Sequence, residues 1–469
     1  MPKLKSILKK AAYTSEKAYE RLRDKRIALG VTGLSGSGKS TFITSLVYQL
    51  VNHHTASLPS FSPVNQGRFM GCEVRAIGPS DIQLFNYEAG IESLSADEPD
   101  WPSATVDLSA LLLEIRYRPK SSLLPTLRNK YHRLFVEIRD YPGEWLLDLP
   151  LLSQSYFNWS LECNHLFKQQ PRKDLLGNLQ PLLDSINPLS TADTSKIQLI
   201  HSEYVEYLKR CKLHDMSLIQ PGRFLLPGKN VEIAPFFPAT TLMDYDESAM
   251  DKAEDDSYYA VLNKAYESYI NDHVKSFYKH YFSDIDRQII LVDVLKALNS
   301  GQESHDDLKV TMSRILDSFH YGQNSIISRL FSPKISRVVL AASKIDQVLP
   351  DQHENVRALT ASIVREIYRQ TNYEHVDVFT EALAAVRCTE TVNRDDQAYL
   401  KGTVDDGEAG LMRHPPIPDQ VPSEEQWVEF DGWSLRKLRP PLNPGLKHGE
   451  PLPHVRMDTV IRELIGDKF

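Results

Sequence analysis

Eight residues, Gly33-Leu34-Ser35-Gly36-Ser37-Gly38-Lys39-Ser40, constrain this chain more than any other stretch. They match G-x-x-x-x-G-K-[ST], a loop in which glycines let successive backbone N–H groups turn inward around phosphate oxygens. Such a loop works between a strand that fixes its start and a helix whose positive N-terminal end faces the anion. Both are legible. The apolar run over 26–32 reads as a buried strand, and 40–51 has the pattern of a helix. The phosphate-binding set is Gly33, Ser35, Gly36, Ser37, Gly38, Lys39, Ser40 and the next helix residue, Thr41. Lys39 supplies a mobile positive charge to the β and γ phosphates, and Ser40 offers a hydroxyl to Mg²⁺.

Later apolar runs at 111–117, 134–138, 289–294, 337–342 and 376–383 bring the expected strands to six. Helical patterns fall between several of them, as at 356–368, and this alternation predicts an α/β fold with a mainly parallel sheet. At 469 residues the chain exceeds what one hydrophobic core usually supports. Between 151 and 283 it turns polar and tyrosine-rich, with helical segments broken by Pro181, Pro188, Pro221, Pro227, Pro235 and Pro238. Past 395 prolines crowd the sequence from Pro415 to Pro453; they disfavour helix and sheet interior alike, so an extended tail laid over the core is expected, ending in a short helical pattern at 455–465. The expected organisation is a basic amphipathic helix at 1–26, a nucleotide-binding G domain in two parts at 27–150 and 286–395, a mostly helical insertion domain at 151–285, and a Pro-rich segment at 396–469 packed on the core.

A second carboxylate should complete the Mg²⁺ shell from a neighbouring strand end. Asp140, which opens Asp140-Tyr141-Pro142-Gly143, is preferred over Asp293, because the D-x-x-G form places Gly143 where a backbone N–H can approach a γ phosphate. Thr105, between the first helix and the second expected strand, is the candidate threonine that joins the shell when the γ phosphate is present. Glu144 occupies the position that often carries a water-orienting glutamine. A carboxylate there is repelled by the triphosphate unless protonated or paired, which predicts slow hydrolysis.

The run over 338–342 leads into Ser343-Lys344-Ile345-Asp346. The Asp346 carboxylate can accept both N1–H and the 2-amino group of guanine while the Lys344 stem lies over the purine plane, a donor pair adenine lacks. Ser343 departs from the asparagine of the N-K-x-D pattern. Ala384-Ala385-Val386, after the last strand, is the counterpart of the loop that supports guanine O6, with Ala385 and Val386 as its contacts. The expected ligands are therefore GTP or GDP with Mg²⁺.

A hydrophobic content of 41% and a charged content of 25% indicate a globular chain, and a net charge of −8 gives no general footprint for nucleic acid. Cys72, Cys163, Cys211 and Cys388 lie too far apart for a zinc spacing or a disulfide framework, which fits a cytoplasmic setting. The basic stretch at 3–26 either packs on its own domain or makes a peripheral contact with the inner membrane.

Taken together, Gly33 to Ser40, Trp101-Pro102, Asp140-Tyr141-Pro142-Gly143-Glu144-Trp145, Arg287-Gln288-Ile289-Ile290-Leu291-Val292-Asp293 and Ser343-Lys344-Ile345-Asp346 resemble the bacterial YcjX family. The likeness runs from about Ala18 to the C-terminus. It implies a stress-associated P-loop protein with a Ras-like core and a helical insertion, similar in plan to G-protein α subunits, that binds and slowly hydrolyses GTP. It also implies a membrane-associated protein partner. An ATP-using P-loop protein and a non-catalytic nucleotide-bound scaffold remain the alternatives.

Overall fold

Strand β1, Lys25–Gly33, is buried from Ile27 onward because it has a hydrogen-bonded strand on each side. Alternate residues serve the two faces of the sheet: Ile27, Leu29 and Val31 enter one apolar cluster, while Ala28, Gly30 and Thr32 point the other way. The computed structural model describes residues 25–34, 36–77, 82–120, 131–229, 231–250, 252–318, 335–370, 376–405, 407–430, 434–442 and 444–469. Ser35 and the expected N-terminal helix up to residue 24 lie outside them. Lys25, expected inside that helix, instead opens β1, and Arg26, where the expected strand starts, pairs in register with Phe135 while its guanidinium meets Glu137.

The remaining strands are β2 (Phe69–Arg75), β3 (Gln83–Leu84), β4 (Ser109–Tyr117), β5 (His132–Asp140), β6 (Arg287–Val292), β7 (Arg337–Ala342) and β8 (Asp377–Ala382). They form one sheet in the order β2-β4-β5-β1-β6-β7-β8, with β3 beside β4. From β5 to β8 every pairing is parallel; β4 runs antiparallel to β5, and β2 antiparallel to β4. All six expected strands are present. The polar residues of β2 and the brevity of β3 hid those two.

Helix α1, Lys39–Asn52, packs Phe42, Ile43, Leu46, Val47 and Leu50 onto the sheet face made by Leu111, Leu113, Val136, Ile138, Ile289 and Val339. Between β3 and β4 lies α2, Tyr87–Leu94. The segment past residue 388, expected as the end of the G domain to 395 and an extended tail from 396, differs from both. Its proline-free part folds into a second sheet of β9 (Thr389–Arg394), β10 (Gln397–Thr403) and β11 (Ala409–Met412). Asp395 and Asp396, both at positive φ (51° and 56°), make the tight β9–β10 turn, a signal that the downstream prolines outweighed in the sequence. A last helix, Met457–Ile465, returns Met457, Val460, Ile461, Leu464 and Ile465 to the same face that α1 covers.

The chain divides into two compact units: Met1–Pro142, Ile285–Asn299 and Lys334–Phe469 form the first, and Gly143–Asp284 with Ser300–Pro333 the second. The second is built from a 3-10 run, Gly143–Ser153, and helices that include α3 (Tyr156–Phe167), α4 (Thr194–Leu213), α5 (Tyr258–Tyr269) and α6 (Gln302–Ser318). Ser155, Asp193 and Ser257 cap α3, α4 and α5 by accepting from first-turn amides. Among the described residues its β pairing is a single bridge, Thr191 to Ser257. Its core is aromatic: Trp159 stacks on Tyr266 at 5.4 Å and Tyr204 on Tyr207 at 6.0 Å. Asp148, wholly buried, accepts from Gly222 N and from Tyr269 Oη, and burial pushes its carboxyl up to about 6. Among the described residues no helix is long and apolar enough to cross a membrane.

Ile461 is fully buried between the last helix and the sheet. Ile461→Ala should therefore lower stability by about 2–5 kcal/mol through lost transfer energy and a cavity, read as a shift of the urea midpoint of the first unit's transition.

Candidate functional site

Because β5, β1, β6, β7 and β8 are parallel, their C-terminal ends lie along one edge of the sheet, where ligands of open α/β sheets bind. The loop after β1 opens at Gly33, where an added Cβ would come 2.1 Å from Ser37 Oγ. Gly36 and Gly38 both adopt φ +79° with open space around them, so it is the left-handed backbone, and not crowding, that requires glycine. Gly38 caps α1 without a side chain, and the first turn carries no acidic residue. The first-turn amides thus keep their affinity for an anion. Lys39, Ser40 and Thr41 are the first three residues of α1, and Ser37 is buried in the loop before it.

Opposite this loop stands Asp140, the last residue of β5 and 1% exposed. Its Oδ1 lies 2.8 Å from Lys39 Nζ, which also donates to the Tyr141 carbonyl. Thr105 Oγ1 donates to Asp140 Oδ2 at 2.6 Å and lies 3.2 Å from Ser40 Oγ. Ser109 Oγ donates to the same carboxylate oxygen at 3.1 Å, from the position in β4 that pairs in register with Asp140. Five residues from four separate parts of the chain thus assemble three hydroxyls, a carboxylate and an ammonium around one point. Ser109 was missed in the sequence because a serine at a strand start carries no distinguishing pattern.

The strand that carries Asp140 is central in the sheet although it holds the charged Glu137 and Arg139. Glu137, on the face opposite the apolar cluster, accepts from Arg26 Nη2 at 2.7 Å and Arg139 Nε at 2.9 Å. The charges are buried but paired. Tyr141 is likewise sunk, its hydroxyl donating to Gln288 Oε1 at 2.8 Å, which anchors the segment just after Asp140.

At the other end of the edge, Lys344 adopts a left-handed conformation (φ 61°) and its ammonium lies 2.7 Å from Asp293 Oδ2. Asp293 Oδ1 accepts from Lys296 N at 3.0 Å, capping the helix Val294–Asn299. The rival magnesium carboxylate of the sequence is therefore engaged by a lysine and a helix terminus. Asp346 is buried, and its Oδ2 accepts from Cys388 N at 2.7 Å. Burial pushes its carboxyl up to about 6, opposed by the Cys388 hydrogen bonds and Lys344. Ser343 donates its amide to Val292 O at 2.9 Å, a bond that needs no asparagine side chain. Ala385 O accepts from Ser45 Oγ of α1 at 2.6 Å, and Val386 is buried beside Tyr48, Leu446 and Leu452. The structure thus brings the 384–388 loop to Asp346.

Gly143 and Glu144 belong to the second unit. There the Glu144 carboxylate lies 2.9 Å from Lys212 Nζ.

The family model that matches residues 27–469 is that of the YcjX-like family, DUF463. The chain belongs to the YcjX-like family. Similar relatives include the "Ras-like GTPase YcjX" of Escherichia coli (strain K12), 36% identical over 458 residues that cover 95% of this chain and 96% of the relative. A protein of the same name from Shewanella oneidensis (strain MR-1) is 33% identical over 488 residues, covering 98% of each. Among the described residues no group of three or more His, Cys, Asp or Glu side chains is gathered as a metal site. A divalent cation at Ser40, Thr105 and Asp140 would need further oxygens from a ligand, as Mg²⁺ held with phosphates does, and the hydroxyl and carboxylate set suits it.

The raised carboxyl of Asp346 has a definite sign in this YcjX-like protein. A folded-state value near 6 against an ordinary 3.8 means its contribution to stability is fully present below about 3.8 and lost as pH rises through about 6. Asp346→Asn, which carries no charge to bury, should gain stability relative to the parent by on the order of 3 kcal/mol between pH 4 and pH 8. Ligand-free urea midpoints across that range check it; parallel curves refute it.

Proposed function

We propose that this YcjX-like chain binds GTP with Mg²⁺, hydrolyses it slowly, and acts as a nucleotide-controlled switch. The observation that carries the reading is the convergence of Lys39, Ser40, Thr105 and Asp140 in front of an uncapped helix N-terminus. On this reading Gly33, Ser35, Gly36, Ser37, Gly38 and Thr41 shape the phosphate cradle, while Lys39 exchanges Asp140 for the β and γ phosphates. Ser40, Thr105 and Asp140 hold the Mg²⁺ shell. Bound there, Mg²⁺ would supply charge that neutralises the phosphate oxygens. The core would then be Ras-like, in keeping with the name of the relatives, and the second unit an inserted helical domain.

Guanine selection rests on Asp346, Lys344 and the 384–388 loop. The Asp346 carboxylate accepts from the base with its remaining lone pairs, and the Cys388 amide holds it in place. Adenine would leave that buried acceptor unpaired, a mismatch that can cost a factor of about 10⁴. Asp346→Asn replaces an acceptor with a group that also donates, suited to the 2-oxo group of xanthine. The expected outcome is a loss of GTP affinity of at least a hundredfold with a gain for XTP, measured by titration of labelled nucleotides. An unchanged guanine preference would falsify the assignment of Asp346.

Lys39→Ala should abolish retention of GDP through purification and weaken its binding at least a hundredfold, with circular dichroism unchanged. A folded variant that still holds nucleotide removes the basis of the whole reading.

Slow turnover is expected from Glu144 because the Lys212 ion pair, while relieving its repulsion from phosphate, engages the carboxylate that would otherwise orient water. Single-turnover GTP hydrolysis should run on the order of 10⁻³ per second, as intrinsic rates of unassisted switch GTPases do, and Glu144→Gln should raise it several-fold. A parent rate of several per second would exclude this role. A stress-response setting, a membrane-associated protein partner and a peripheral inner-membrane contact through residues 3–26 belong to the same proposal and rest on the sequence resemblance and the basic amphipathic pattern alone.

A further inference from the structure

We infer that the C-terminal segment from Leu446 to Arg456 is a positioning element for base recognition, holding the 384–388 loop in the shape that presents Cys388 to Asp346. The inference rests on the proposal that Asp346 and this loop receive the base.

The loop has few means of its own to stay in place. After β8 ends at Ala382 it runs outside the sheet, and its backbone groups are taken up by the tail. Ala384 N donates to Val455 O at 3.0 Å, Val455 N to Ala384 O at 2.9 Å, and Arg387 N to Pro453 O at 2.8 Å. The loop is thus paired like a strand edge with a segment about 70 residues further along the chain. One residue past Arg387, Cys388 N reaches Asp346 Oδ2. A shift of the tail is therefore passed to the carboxylate through two peptide units.

The tail can do this because it is itself fixed, and fixed to the helix that carries the phosphate loop. Tyr48 Oη donates to the carbonyls of Leu446 and Glu450, and Gln49 Nε2 donates to Leu452 O at 2.8 Å. His454 bridges Ser57 O and Met457 N, at 2.7 and 3.3 Å. Arg456 Nη2 meets Glu381 Oε2 of β8 at 2.8 Å. Leu446 and Leu452 pack with Tyr48 and Val386 in one small apolar cluster, so the same side chains grip α1 and the base loop. Ser45 Oγ, on α1, closes the circuit by donating to Ala385 O at 2.6 Å. Phosphate end and base end are thereby set at a fixed separation by α1 and the tail together, which suits one length of ligand.

The prolines of the tail gain a reason from this. Pro453 lies in the paired stretch yet contributes only its carbonyl to the loop, which is the one ladder role open to a residue without an N–H. The paired carbonyl of Leu452, one residue earlier, faces α1 instead.

Two variants test the assignment in the full-length protein with Mg²⁺. Val455→Pro removes the N–H donated to Ala384 O, and Ser45→Ala removes the hydroxyl donated to Ala385 O while improving local helix propensity. The probes are fluorescent GDP, ADP and inorganic tripolyphosphate, which has phosphates but no base. GDP Kd should rise at least fivefold in Val455→Pro and about threefold in Ser45→Ala, with dissociation faster by similar factors. Tripolyphosphate affinity should stay within twofold, because the phosphate loop is untouched. Equal losses for GDP and tripolyphosphate, or an unchanged GDP Kd in both variants, would overturn the inference. Should Val455→Pro fail to fold, Tyr48→Phe, which releases the tail carbonyls of Leu446 and Glu450, takes its place under the same criteria. A parent protein that binds ADP as well as GDP counts instead against the assignment of Asp346.

Discussion

An ammonium and a carboxylate buried against each other, Lys39 and Asp140, sit where α1 begins and β5 ends, 2.8 Å apart and 9% and 1% exposed. Neither charge could be held there alone, because the cost of stripping water from an unpaired ion exceeds what the surrounding packing returns. Their pairing requires β1 and β5 to be adjacent and parallel with the register Val31 to Asp140, so that the phosphate loop leaves the sheet beside the carboxylate. The antiparallel β4 then brings Ser109 level with Asp140, and the segment before it carries Thr105. A site with these four groups is a consequence of one parallel and one antiparallel pairing.

The polar layer on the reverse face of the sheet supports the same arrangement. Glu137 with Arg26 and Arg139, and Gln288 with Tyr141, replace what would otherwise be apolar contacts between strands. Their geometry is more demanding than that of leucine on leucine, since each buried polar atom needs its own partner. Gly30 is the accommodation this layer needs: a Cβ there would come 2.2 Å from Gln288 Oε1. The layer fixes the backbone at Tyr141, whose carbonyl receives Lys39, and so reaches the site from behind.

At the Asp346 end of the sheet edge the controlling feature is long-range backbone pairing. Residues 383–387, the end of β7 and the tail are joined by hydrogen bonds between main-chain groups, which any residue other than proline can make as donor. Lys344 is turned toward Asp293 by its left-handed backbone, and Asp293 is itself tied to the next helix. The same carboxylate therefore orders two elements, although in isolation it reads as a strand-end aspartate.

The sequence by itself determined the elements whose signal is local. The six apolar runs became β1 and β4 to β8 because buried strands need continuous apolar character, and Gly36 and Gly38 of the phosphate loop followed from backbone conformations that glycine adopts without strain. The tertiary structure alone decided the rest. It placed β2 and β3 on the sheet despite their polar or short sequences, folded 389–412 into a hairpin sheet, paired Glu144 with Lys212, and brought Ser109, Asp293 and Cys388 to partners far along the chain. Periodicity records which face a residue buries, whereas the identity of its hydrogen-bond partner depends on register and chain path, for which a single sequence carries no local signal.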